Sequence, residues 1–129
     1  MEAVLRNVFQ SLAKNPAANR MAKKYGLRFG AKRFVAGVTI NEAIQAVRQL
    51  NQDGRLATLD HLGEFISTRE EAQESLSMCL ATLDAIHESD VKSNLSLKLT
   101  SLGLDIDREL CLDHMRQIVG RAQQYGNFV

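Results

Sequence analysis

Three residues with usable chemistry, Asp60, Glu64 and Lys98, lie near the ends of two predicted strands. The strands are predicted at 55–61, next to a glycine, and at 94–100, where leucines alternate strictly with polar residues. Active sites of parallel α/β proteins collect at the carboxyl ends of strands, where Asp60 and Lys98 both lie. This placement favours a functional lysine over a structural Lys–Asp ion pair, and both hypotheses stay open. Glu64 follows the first strand in a loop, where a glutamate either serves a site or is solvated.

The histidines and cysteines give weaker indications of chemistry. His61 is predicted to face a helix and to be hydrogen-bonded, His87 to lie near a helix C-terminus, and His114 to lie on a helix surface. Cys79 and Cys111 fall on apolar helix stripes and are predicted to be buried. No spacing of Cys, His or carboxylates resembles a zinc site, and no glycine-rich phosphate loop follows a strand. The sequence therefore predicts no metal site and no Ser–His or Cys–His nucleophile.

Capping motifs and apolar spacing predict the helices that position these residues. Residues 2–14 form a predicted amphipathic helix, and Asn15-Pro16 begins a second, short basic helix. Three further helices are predicted. The first begins at the capping box Thr39–Glu42 and ends at Gly54, and the second begins at the capping box Ser67–Glu70 and ends at about Glu88. The third begins at Asp105 or Asp107 and ends at Gly126. The apolar stripe of the last helix is Cys111, Met115, Ile118, Val119 and Ala122. Asn127–Val129 is predicted to begin a third strand.

The order of elements, helices followed by strand–helix–strand–helix–strand, is typical of right-handed parallel βαβ units. A parallel sheet is normally covered on both faces, so a polar strand face that holds a lysine needs another environment. The interior of a (βα)8 barrel near its C-terminal mouth provides one. The predicted fold class is therefore α/β, with N-terminal helices followed by the first βα units of a (βα)8 barrel, truncated at the start of the third strand. The 129 residues are about half of what such a barrel requires.

The near-neutral composition hides an asymmetric distribution of charge. The chain has 16 Lys and Arg, 15 Asp and Glu and two Cys, and it has no apolar segment of the roughly 20 residues that span a membrane. This composition predicts a soluble, cytoplasmic protein. Residues 1–41 carry eight basic residues and one acidic residue, whereas residues 42–129 are net acidic. The predicted domains are a basic N-terminal helical arm, 1–38, and the incomplete first part of a barrel domain, 39–129.

The basic arm has three explanations, which are an anionic partner, the acidic remainder of its own fold, or solvent. Nucleic acid is disfavoured because the basic residues are not interleaved with aromatic residues and match no docking motif. A membrane surface is more plausible because an apolar stripe lies beside the basic residues: Val4, Leu5, Val8, Phe9 and Leu12. The arm gives rise to an alternative function, a non-enzymatic α/β module whose basic helical N-terminus binds a membrane surface or a protein partner.

Two segments of the chain resemble bacterial monofunctional proline dehydrogenases. They are Leu59-Asp-His-Leu-Gly-Glu-Phe65 and Asn94-Leu-Ser-Leu-Lys-Leu-Thr-Ser-Leu-Gly-Leu-Asp-Ile106, and the segments Lys24–Phe34 and Tyr125–Val129 are similar to that family as well. The resemblance implies a distorted (βα)8 barrel that holds FAD and oxidises L-proline to Δ1-pyrroline-5-carboxylate. It also implies that the electrons pass to a quinone at the membrane. The basic, amphipathic N-terminus would suit peripheral contact with the inner face of an anionic membrane.

The same resemblance implies roles for the three polar residues. Lys98 would bind the carboxylate of proline, Glu64 would pair with an arginine from late in the barrel and gate the site, and Asp60 would belong to the same polar shell. The family's flavin-binding strands would all follow Val129, so no FAD-binding residue is expected within this chain. We therefore expect the 129-residue chain to be a fragment that is inactive alone.

Overall fold

The computed structural model describes residues 6–7, 11, 14–17, 20–21, 35–63 and 66–129. The chain divides into two units, Met1–Gly37 and Val38–Val129. In the first unit, the described residues of the two predicted N-terminal helices are helical except the N-cap, Asn15. The side-chain oxygen of Asn15 accepts the backbone N–H of Ala17 at 2.9 Å, which is the predicted N-cap interaction. The five residues of the predicted membrane-binding stripe lie outside the described residues.

The second unit has an α/β architecture with two parallel strands. Its elements are α1 (Ile40–Gln52), β1 (Ala57–Asp60), α2 (Arg69–Glu88), β2 (Ser93–Ser96), a 3-10 helix (Leu99–Leu102) and α3 (Arg108–Gln124). The parallel register runs from Ala57 opposite Ser93 to Asp60 opposite Ser96. β1 is shorter than the predicted 55–61. The observed order nevertheless confirms the α/β class and the parallel pairing of the two strands.

β2 is also shorter than the predicted 94–100. It ends at Ser96, because β1 ends opposite it at Asp60 and provides no partner beyond that point. The chain then turns into the 3-10 helix. Leu99 is consequently 43% exposed instead of sharing a buried face with Leu95, which is 1% exposed. The strict alternation of leucines therefore predicted a longer strand than the chain forms.

Local side-chain caps determine where α1 and α3 begin. Thr39 Oγ1 accepts the N–H of Glu42 at 3.2 Å, as predicted, and the Glu42 carboxylate accepts the N–H of Val38 at 2.8 Å. In a regular capping box the Glu42 carboxylate would accept the N–H of the N-cap, Thr39, but here it accepts the N–H of the preceding residue. Of the two cap candidates for α3, Asp107 rather than Asp105 accepts two N–H groups of the first helical turn.

The capping box of α2 lies one residue later than predicted. Thr68 rather than Ser67 is the N-cap, and Glu71 rather than Glu70 completes the box. The Glu71 carboxylate accepts the N–H of Ser67 at 2.6 Å and that of Thr68 at 3.2 Å. These two backbone bonds lower the pKa of the Glu71 carboxyl. At Asp107, the backbone N–H groups of α3 lower the pKa in the same way, and Arg69 adds to the effect.

Acid should destabilise the second unit through Glu71, Asp84 and Asp107, because the fold lowers the pKa of each. Their stabilisation is present above the unfolded pKa of about 4 and is lost as the pH falls through the lower folded pKa. The free energy of unfolding, measured by urea denaturation, is therefore expected to decline below about pH 4. Glu71→Gln should reduce both the stability at neutral pH and the steepness of this decline. A wild-type stability that is constant between neutral pH and pH 3 would contradict the prediction.

The hydrophobic core lies between α2, α3, β2 and the 3-10 helix. Its buried members are Leu76, Cys79, Leu83, Leu95, Leu102, Cys111, Ile118 and Ala122. Two expectations for α3 are wrong. His114, predicted on the helix surface, is 1% exposed, and Val119, predicted within the buried stripe, is 48% exposed. The inward face of α3 thus includes a histidine that a search for apolar residues overlooks.

The end of α3 returns the chain to β2. The N–H of Asn127 donates to the carbonyl of Ala122 at 2.8 Å, and Asn127 Nδ2 donates to the carbonyl of Ser93 at 2.9 Å. Because the carbonyl of Lys92 faces β1, where it accepts the N–H of Ala57, the carbonyl of Ser93 points to the opposite edge of β2. Residues 127–129 were predicted to begin a third strand, but they form no strand. The side chain of Asn127 nevertheless bonds the start of this segment to the free edge of β2, the edge opposite β1.

Candidate functional site

One face of the two-stranded sheet is polar. Thr58 and Asp60 of β1 are exposed, and the register places Asn94 beside Thr58 and Ser96 beside Asp60. The hydroxyl of Thr58 donates to Asn94 Oδ1 at 2.8 Å, which links the two strands across this face. Leu95 points the opposite way, into the core. Thr58, Asp60, Asn94 and Ser96 are called the polar face below.

Lys98 and Asp60 meet at the carboxyl end of the polar face. Lys98 Nζ lies 3.6 Å from Asp60 Oδ2, and the two side chains are 47% and 38% exposed. An ion pair with this exposure contributes only about 0–1 kcal/mol to stability. The ammonium group has three N–H donors, so pairing with Asp60 is compatible with binding a further anion. The geometry therefore suits both the structural and the functional hypothesis for this lysine.

Lys98 lies at the turn after β2 rather than within the strand. Its backbone is extended, with φ −119° and ψ 132°, and it is the N-cap of the 3-10 helix. The carbonyl of Lys98 accepts the N–H of Ser101 at 3.0 Å and the hydroxyl of Ser101 at 2.7 Å. These two bonds fix the backbone of Lys98, so the ammonium group reaches Asp60 from a defined starting point.

The third predicted site residue, Glu64, lies outside the described residues, and its proposed gating role stays a prediction. His61, on the same loop, is exposed. This contradicts the expectation that His61 faces a helix: the strand ends one residue before it, so the alternation of β1 no longer determines its direction.

The described part of the chain does not by itself fit a flavin or a metal ion. An open depression of about 400 Å³ lies beside the polar face, and its lining includes Thr58, Asn94, Ser96 and Met115. None of its lining residues is a cation that could bind the pyrophosphate of a dinucleotide. Among the described residues, no group of three or more His, Cys, Asp or Glu could hold a metal ion. We therefore assign none of the described residues to FAD.

Comparison with known proteins identifies the relatives of the chain. No family model matches it. Over 122 residues, which are 95% of the chain, it is 47% identical to proline dehydrogenase 1 and 38% identical to proline dehydrogenase 2 of Bacillus subtilis. It is 33% identical over 132 residues to proline dehydrogenase of Deinococcus radiodurans, in a match that covers 100% of the chain. The chain is a homologue of bacterial proline dehydrogenases.

The match covers only part of each relative. This proline dehydrogenase homologue spans 40% of the length of the two Bacillus proteins and 42% of the Deinococcus protein. The polar face and the Lys98–Asp60 pair are therefore features of a part of the fold, and more than half of each relative has no counterpart in this chain.

The two cysteines of the proline dehydrogenase homologue are poor nucleophiles. Cys79 and Cys111 are both buried and free, as predicted. Burial raises the pKa of the Cys79 thiol to about 11, and the nearby charge of Asp60 adds to the rise. Burial also raises the pKa of Cys111. Because the thiolate is the reactive form, neither side chain supplies a nucleophile at neutral pH.

A second polar cluster of the homologue joins the C-terminal turns of α2 and α3, and the sequence did not reveal it. Arg121 forms an ion pair with Asp84, and the Tyr125 hydroxyl donates to the same carboxylate at 2.8 Å. The Arg121 bond is the main cause of the lowered pKa of Asp84, and the Asp84 carboxylate raises the pKa of Tyr125. His87 stacks on Tyr125 with ring centroids 4.0 Å apart. The i, i+4 spacing of Arg121 and Tyr125 was the available signal.

Proposed function

We propose that this chain supplies the substrate-binding lysine of a flavin-dependent proline dehydrogenase, which oxidises L-proline to Δ1-pyrroline-5-carboxylate. The observation that carries the proposal is the position of Lys98, 3.6 Å from Asp60 at the carboxyl end of the polar face. Active sites of parallel α/β folds form at that end. The identity of 47% to proline dehydrogenase 1 of Bacillus subtilis supports the choice of substrate.

Lys98 would bind the carboxylate of L-proline through its ammonium group. A lysine suits this task because its charge is compact and its stem is flexible, so it can neutralise the carboxylate and orient the ring. Asp60 would hold the ammonium over the polar face before substrate arrives. The reaction removes two electrons and two protons from proline and converts a C–N single bond into C=N. FAD would accept the electrons for transfer to a quinone, and the residues that hold FAD would lie outside this chain.

The fold proposed for the complete enzyme is a (βα)8 barrel. Two features of the described residues support it: the sheet is parallel, and its polar face lies opposite the core that α2 and α3 cover. The interior of a barrel near its carboxyl end would enclose such a face. Asn127 would then direct the following strand to the open edge of β2. Glu64 is proposed to gate the site from the loop after β1.

The alternative, a non-enzymatic module that binds a membrane or a partner through its basic arm, gains no support from the described residues. Lys23, Lys24, Lys32 and Arg33 lie outside them. No helix in the described ranges is both long enough and apolar enough to cross a membrane. Peripheral contact with an anionic membrane, a quinone acceptor and a cytoplasmic location are kept as proposals for the complete enzyme.

A fusion protein tests the proposed function. It joins this chain to the part of proline dehydrogenase 1 of Bacillus subtilis that the match leaves uncovered, and it is assayed for a flavin spectrum and for proline-dependent reduction of a quinone analogue. We expect both signals from the fusion protein and neither from the 129-residue chain alone. The Bacillus part expressed without this chain is the control. A folded, yellow fusion protein that does not oxidise L-proline would refute the proposal.

A further inference from the structure

The 3-10 helix that follows Lys98 is anchored to α3 by two side chains. His114 Nδ1 lies 3.1 Å from the carbonyl oxygen of Leu102, and Cys111 Sγ lies 3.5 Å from the carbonyl oxygen of Leu99. A carbonyl oxygen can only accept a hydrogen bond, so Nδ1 of His114 must carry a proton in this contact. Both ends of the short helix are therefore bound to the same face of α3.

The burial of His114 indicates that its hydrogen bond matters. Its side chain is 1% exposed, and Leu102 is fully buried beside it. A polar ring in this position costs free energy unless it is hydrogen-bonded, whereas an apolar residue of similar volume would fill the space without that cost. The carbonyl of Leu102 also needs a donor, because the last carbonyls of a helix have no partner within the helix. His114 satisfies this requirement from the core.

A short chain of bonds connects His114 to the proposed site. His114 holds the end of the 3-10 helix, Ser101 within that helix holds the carbonyl of Lys98 through its N–H and its hydroxyl, and Lys98 reaches Asp60. We propose that His114 is a positioning residue for Lys98: its bond to Leu102 fixes the turn from which the ammonium reaches the substrate carboxylate. This inference rests on the proposed function of Lys98.

Two substitutions at His114 separate the hydrogen bond from the packing. His114→Leu keeps the volume and removes the donor, whereas His114→Asn keeps an amide donor near the position of Nδ1. In the fusion protein we expect His114→Leu to raise KM for L-proline by about tenfold with kcat changed far less, because a displaced ammonium group weakens binding of the carboxylate in the ground state and the transition state alike. His114→Asn should restore most of the affinity. Val47→Ala, a buried change on α1, should lower stability and leave KM unchanged.

Amide hydrogen exchange gives a result that does not depend on activity. The N–H groups of Ser101, Gly103 and Leu104 close the turn by bonding to the carbonyls of Lys98, Thr100 and Leu99. They should exchange faster in His114→Leu than in His114→Asn or Val47→Ala. If His114→Leu does not fold, Ser101→Ala tests the same connection, because it removes the hydroxyl bond to Lys98 and should also raise KM.

The possible outcomes distinguish the two proposals. Faster exchange at the turn together with a raised KM supports the positioning role. A KM that matches the wild type in folded His114→Leu, or in Ser101→Ala where His114→Leu does not fold, overturns it. Failure of a folded, yellow wild-type fusion protein to oxidise proline instead overturns the proposed function. Exchange rates that are equal in His114→Leu, His114→Asn and Val47→Ala overturn the anchoring of the turn itself.

Discussion

Replacement of Lys98 by methionine in the fusion protein should raise KM for L-proline by about 10- to 100-fold, which corresponds to the loss of a hydrogen bond to a charged group worth about 1.5–3 kcal/mol. Methionine keeps most of the length of the side chain and removes its charge. The proline carboxylate would then be desolvated without its proposed counter-ion, and Asp60 would be left to repel it. Steady-state kinetics over a wide range of proline concentrations measure the effect. Thermal stability should change little, because the Lys98–Asp60 pair is exposed.

A matched control for this prediction lies at the other end of the same strand. Lys92 precedes β2 and has an exposed side chain, so Lys92→Met removes the same charge away from the proposed site. It should leave KM within about twofold of the wild type, since a distant exposed charge is screened. Lys98→Arg should recover part of the affinity, because the charge is kept and its geometry is changed. Equal effects of Lys98→Met and Lys92→Met would show that the lysine acts through net charge and would remove Lys98 from the site.

The helices were the most predictable part of the fold, because their signals are local. Thr39 and Glu42 lie within four residues of each other, and the bond between them could be inferred from spacing alone. The same argument misplaced the cap of α2 by one residue, since Ser67 and Thr68 can both act as a cap. The observed Glu71 carboxylate accepts the N–H groups of both residues, so the ambiguity is built into the motif.

The end of β2 could not be predicted from its own residues. The alternation of apolar and polar residues indicates which side of a strand a residue faces, but the length of a strand depends on where its partner strand ends. β1 ends at Asp60, and this fixes Ser96 as the last paired residue of β2. His114 escaped prediction for a related reason: its burial follows from the carbonyl of Leu102, which the 3-10 helix brings to α3.

The meeting of Lys98 and Asp60 was predictable because parallel strands bring their carboxyl ends to one edge. That inference needed only the two strands and their direction, and it survives the shortening of β2. Thr58 and Asn94 can be placed by the same reasoning, because the register pairs them on the same face, two residues before Asp60 and Ser96. What the sequence did not provide is the turn that carries Lys98, since it depends on contacts with α3.

Gly103→Ala should lower the free energy of unfolding by about 2–5 kcal/mol, because backbone strain and crowding act together at this position. Gly103 ends the 3-10 helix with φ +96°, a conformation that costs other residues about 1–2 kcal/mol. A Cβ atom here would also lie 3.3 Å from Ala72 Cβ and 3.4 Å from Leu110 Cδ2. Overpacking of this kind typically costs about 1–3 kcal/mol. Urea denaturation of the wild type and the variant measures the difference.

Gly54→Ala separates the two causes of the loss at Gly103. Gly54 has φ +76°, yet a Cβ atom there would meet nothing within 4 Å, so only the backbone cost of about 1–2 kcal/mol applies. The excess loss at Gly103 then measures the crowding against α2 and the start of α3. Because Gly103 also closes the turn that carries Lys98, its alanine variant should raise KM for proline in the fusion protein, whereas Gly54→Ala should not. Equal stability losses at the two glycines would mean that Ala72 and Leu110 yield to the added methyl group without cost.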